Sequence, residues 1–121
     1  MNELRQIFLL LVFFPLVGCA AQTVLVYESK GEKQCMNNGI TMLESKEKLS
    51  NKNIEVVDSK CGRRTGVSVM AMCGGPTTSI IIHEIGDADL SKAKELGFEN
   101  IINLVYKDLG SGYEMHECKS A

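Results

Sequence analysis

Apolar positions along the chain fall into an unbroken run near the start and several shorter runs whose periods differ. The first, Ile7 to Phe14, is checked by Pro15 and Gly18. It is shorter than the roughly 20 residues a membrane-spanning helix needs and has the length of a signal-peptide core. Thr23 to Tyr27 and Ile80 to Ile85 are β-rich and almost continuously apolar, as in strands buried on both faces. Ile54 to Asp58 begins by alternating, and Tyr113 to Glu117 alternates throughout, so both suit sheet edges. Ile101 to Tyr106 reads as a further strand. Met36, Ile40 and Leu43 recur at helical spacing with Met42 and Leu49, which predicts a helix ending in the polar turn Ser50 to Asn53. A second helix follows an N-cap at Asp87, carries Leu90, Ala93 and Leu96, and closes on Gly97 and Phe98 in the manner of a Schellman ending. Val67 to Met72 fits either a short helix or a strand.

The order strand, helix, strand, strand, helix, strand predicts an α+β fold: a ferredoxin-like βαββαβ sandwich, with one strand added at the edge by a C-terminal hairpin. Two helices would cover one face of an antiparallel or mixed sheet. The strand from Ile80 points Ile80 and Ile82 one way and Ile81, His83 and Ile85 the other. The face that the helices leave uncovered must be closed by the segment from Val67 to Met72 or remain an apolar patch. Such a patch, with Ile81 and His83 on it, would bind an envelope partner or a second copy of the chain.

The leader ends in Leu16-Val17-Gly18-Cys19, after a charged start containing Arg5. These four residues resemble the lipobox of bacterial lipoprotein precursors. The resemblance implies that Cys19 carries a diacylglyceryl group, that residues 1–18 are cleaved as a signal peptide, and that the new amino terminus is acylated. Residues 19–121 would then form one domain attached to the membrane through its lipid, facing the periplasm. Ala20 stands where an aspartate would signal retention, which points to the outer membrane. Two or more acyl chains hold a protein stably where one holds it only marginally.

Charge and size narrow the partners. The 121 residues carry 13 Lys and Arg against 15 Asp and Glu, a net charge of −2. Loss of the leader removes Glu3 and Arg5 together and leaves that balance unchanged. No nucleic-acid or polybasic membrane surface is indicated. A domain this small buries a modest fraction of its surface and gains from covalent staples.

Four cysteines besides Cys19 supply them, and an exported domain should have them oxidised. With the added strand paired to the fourth strand, strand directions collect Cys35, Cys61, Cys73 and Cys118 at one end of the sheet. Cys118 would then lie too far across it to meet Cys61. The expected bonds are Cys61 with Cys73 and Cys35 with Cys118, and no C-x-x-C suggests redox chemistry.

Catalytic signals are weak. His83-Glu84 and His116-Glu117 lack the H-E-x-x-H spacing of a zinc site, and both histidines read as solvated edge residues. Gly74-Gly75-Pro76-Thr77 lacks a P-loop lysine, and no serine sits in a nucleophile elbow. Arg63 and Arg64, between Gly62 and Gly66, read as a charged turn tip, with an anion-holding loop as the functional alternative. Met70 and Met72 read as core filler, with partner contact as their functional alternative. The expectation is a noncatalytic, lipid-anchored envelope module without metal or cofactor, which binds or positions another envelope component. The alternative is a redox- or stress-responsive sensor lipoprotein.

Overall fold

The computed structural model describes residues 21–105 and 112–119. The leader and Cys19 lie outside them, as do Tyr106 and most of Gly110-Ser111-Gly112, where the sequence predicts the turn before the last strand. Strand β1 (Thr23–Ser29) leads through a long loop to helix α1 (Met42–Ser50), followed by β2 (Val56–Arg64) and β3 (Ser79–Gly86). A 3-10 turn (Asp87–Asp89) opens helix α2 (Leu90–Glu95). After it come β4 (Glu99–Asn100), a second 3-10 turn (Ile101–Leu104) and β5 (Tyr113–His116). The five strands form one open sheet in the order β4-β1-β3-β2-β5, antiparallel at every pairing. Among the described residues no helix is long and apolar enough to cross a membrane.

β1 and β3 occupy the interior of the sheet, so each can be apolar on both faces. On one face Val26 and Ile85 pack with Leu49 of α1, Ala93 of α2, Ile54 and Phe98. On the other, Ile80 and Ile82 pack with Ile101 and Leu104, and Leu25, Tyr27 and Tyr113 lean on that cluster. The second face is thus covered by the 3-10 turn after β4, and residues 101–104 are not the strand their composition predicts. The segment from Val67 to Met72 covers neither face; it is an exposed loop. Ile81 and His83 share the helix-covered face with Ile85 by strand alternation, and both are fully buried. Neither can serve as an open docking contact, because the two helices lie on their side of the sheet.

Local chemistry sets the helix ends. Thr41 and Glu44 form a reciprocal capping box that starts α1 at Met42. The residues from Met36 to Ile40 therefore stay outside the helix that their spacing predicts. At the end of α2 the Phe98 N–H donates to the Ala93 carbonyl and the Gly97 N–H to that of Lys94, with Gly97 at φ +98°. This is the Schellman geometry, and it buries Phe98 against Ala93. The cap at Asp87 is absent: Gly86 holds the cap position of the 3-10 turn without a side-chain bond.

The position of β5 overturns the expected disulfides. It does not form a hairpin with β4 but pairs antiparallel with the free edge of β2, Cys61 opposite His116. That brings Cys118 beside Cys61, and the two are bonded with α-carbons 4.8 Å apart. Gly62 allows the approach, since a β-carbon there would run into the Glu114 carbonyl oxygen. Cys73 then bonds Cys35 across 5.0 Å. Arg63 with Glu114, and Lys60 with Glu117, form ion pairs along the same edge.

Candidate functional site

Beyond Ser29 and Ser79 the pairing of β1 with β3 continues as an irregular ribbon. Lys30 donates to the Ser79 carbonyl, Lys33 bridges Pro76, and Gln34 and residues 74–75 exchange backbone bonds of 2.9 Å. The Cys35–Cys73 disulfide closes the ribbon. This tip lies at the opposite end of β1 from Thr23, which pairs with Gly86. Seven strand residues at about 3.3 Å each separate the two ends by roughly 20 Å.

The side chain of Gln34 fixes the loop before Cys73. Its Nε2 donates to the carbonyl of Met70 at 2.8 Å and that of Pro76 at 2.9 Å, and its Oε1 accepts from the Met72 N–H at 3.0 Å. The amide therefore stands in for a neighbouring strand residue, bonding the carbonyl before Ala71 and the N–H after it. A segment held in that way is locally extended, so Met70 and Met72 share a side. The backbone is ordered by a disulfide and these bonds, yet its apolar side chains face water. Met70 is 77% exposed, Met72 54% and Met36, next to Cys35, 52%; Val67 and Val69 are exposed as well.

A second polar constellation lies under α1. The Ser45 hydroxyl donates to Glu28 Oε2 at 2.6 Å, which uses its only hydrogen. At 2.8 Å from His83 Nε2 it must therefore accept, so the imidazole carries its proton on Nε2. His83 Nδ1 is left to accept from the Ser59 hydroxyl at 2.7 Å. Lys48 Nζ completes the chain at 2.8 Å from Glu28 Oε1, and the Phe98 ring meets the imidazole edge-on. Burial pushes the His83 pKa down from 6.5 to about 4; Glu28 pulls it back up by less, and Lys46 lowers it further. An imidazole of that pKa accepts protons poorly near neutral pH, below the range suited to a general base. Its geometry is that of a lock between α1, β2 and β3.

The other expected site residues are dispersed. Arg63 and Arg64 lie on β2 and not in a turn, and Glu114 Oε2 engages Arg63 through Nε at 2.8 Å and Nη2 at 2.7 Å. His83 is buried, not solvated at an edge, whereas His116 is exposed on β5. The methionines prove to be surface groups and not core filler. Gln34, Ser45 and Ser59 escaped sequence reading because an isolated polar residue carries no periodic signal. Among the described residues no group of three or more His, Cys, Asp or Glu is gathered as for a metal ion. No family model matches the chain, and no match was found among curated proteins or solved structures.

Proposed function

We propose that the chain is a lipid-anchored, noncatalytic envelope module that binds another envelope component through its disulfide-closed methionine loop. The observation that carries this reading is the contrast within that loop: an ordered backbone with Met36, Met70 and Met72 all more than half exposed. The anchor is the lipobox cysteine, Cys19, on the periplasmic face of the outer membrane. Three residues separate it from Thr23, so the lipid joins the end of β1 remote from the loop. A partner would then meet the module on its membrane-distal side. The β4-β1-β3-β2 order, with both helices on one face, supports reading the scaffold as a ferredoxin-like sandwich to which β5 is added beside β2.

One observation favours the redox-responsive alternative. Cys35 and Cys73 are both exposed while Cys61 is buried, so reductant reaches the loop's bond first and would release its docking surface. A photo-crosslinking residue at position 70 of the full chain, expressed in cells, tests the main reading. A defined adduct from position 70 and none from exposed Leu43 on α1 is expected. Equal labelling from both positions, or none from position 70, overturns it.

A further inference from the structure

Apolar docking does not require sulfur, yet three of the exposed side chains on this loop are thioethers. Met36 follows Cys35 and Met72 precedes Cys73, so the bonded pair, 5.0 Å apart, holds the two methionine α-carbons within at most about 13 Å. Gln34 holds Met70 and Met72 on one side of an extended segment two residues apart. Each side chain has three rotatable bonds and more than half its surface free, and the Met36 sulfur is engaged only by a long contact from Asn38 Nδ2 at 4.0 Å. We propose that Met36, Met70 and Met72 form a site for a soft monovalent cation, Cu(I) or Ag(I).

The donor chemistry selects the ion. Thioether sulfur is a soft, neutral ligand that suits Cu(I), whereas divalent ions favour imidazole, thiolate or carboxylate. Imidazole and carboxylate donors do not offer a competing set, since no group of three or more His, Cys, Asp or Glu is gathered as for a metal ion among the described residues. The nearby cysteines are bonded to each other and offer no thiolate. Three neutral ligands leave one positive charge on the complex, which an exposed site tolerates because water still solvates it. The inference rests on reading the loop as a binding surface and names a ligand for it.

Ag(I) is the probe, because it needs no reductant and so leaves the disulfides intact. The mature lipidated chain, whose Cys19 sulfur is capped by its lipid, is titrated with silver nitrate in detergent and chloride-free buffer and examined by native mass spectrometry. One Ag(I) per fully oxidised chain is expected. The triple variant Met36→Leu, Met70→Leu, Met72→Leu keeps the apolar surface and removes the sulfur. Its affinity should fall by at least the roughly 10–100-fold that loss of a supporting group costs a metal site, while Met115→Leu on β5 leaves binding unchanged. Failure of the oxidised protein to take up Ag(I), or uptake by the triple variant equal to the parent's, overturns the proposal. A photo-crosslinker at position 67 separates the two readings. If its adduct persists while Ag(I) uptake is absent, only the cation assignment falls; if both are absent, the docking surface falls too.

Discussion

His83 Nε2 on β3 and Ser45 Oγ on α1 meet at 2.8 Å in a place where both residues are closed to solvent. The contact joins helix to sheet through a neutral imidazole, and its protonation state makes stability depend on pH. The folded-state pKa is about 4 and the unfolded value 6.5. Below pH 6.5 the unfolded chain takes up a proton that the folded chain refuses. The stability associated with His83 is therefore complete above pH 6.5 and declines toward pH 4, by on the order of 3 kcal/mol in all. Urea titrations at a series of pH values should show the midpoint falling across that window, and His83→Gln should flatten the fall.

Removing either hydroxyl partner should be costly. Ser59→Ala leaves the His83 Nδ1 lone pair without its donor, and Ser45→Ala strips a partner from both the Nε2 proton and the Glu28 carboxylate. Each should destabilise the fold by about 1–3 kcal/mol, with Ser45→Ala the larger. Arg63→Ala, which loses only an exposed pair with Glu114, should change stability by no more than about 1 kcal/mol. Thermal melts of the three variants check the ranking.

The two disulfides close spans of 38 and 57 residues, for which chain entropy gives about 4 kcal/mol each. Their consequences should differ by place. Cys61→Ser with Cys118→Ser frees the β5 edge and lowers global stability. Partial reduction should open Cys35–Cys73 first, since both its residues are exposed. Peptide mapping without reduction should join Cys35 to Cys73 and Cys61 to Cys118. A peptide joining Cys61 to Cys73 would contradict the fold of the β2–β5 edge.

Ile81→Lys should prevent folding or cost more than about 4 kcal/mol, because it places an unpaired charge at a fully buried position. Circular dichroism of the purified variant decides this. A folded Ile81→Lys protein would mean that the helix-covered face is open.

How much of this was legible in the sequence follows from what each feature depends on. Val24 to Tyr27 and Ile80 to Ile85 announce interior strands through their own composition, and Gly97-Phe98 announces a helix end through local backbone chemistry. The place of β5 depends on which free edge a distant segment reaches, and nothing in Tyr113 to Glu117 encodes that choice. The disulfide expectation inherited that error. Ile101 to Leu104 has the composition of a strand, yet it forms a 3-10 turn whose apolar groups close the second face of the sheet. His83 has a polar name in an apolar run, and only its two hydroxyl partners, one on α1 and one on β2, make its burial tolerable. The methionine loop was ambiguous because methionine serves cores and contact surfaces equally well.

The functional account depends on the loop being a preformed surface and not a loose flap, and amide hydrogen exchange tests that most directly. The Gln34, Met72, Gly74 and Gly75 N–H groups all donate within the ribbon. In the oxidised chain they should exchange far more slowly than unstructured amides, and Cys35→Ser with Cys73→Ser should selectively remove that protection while β1 and β3 keep theirs. Exchange of these four amides at the unstructured rate in the oxidised protein would contradict the account.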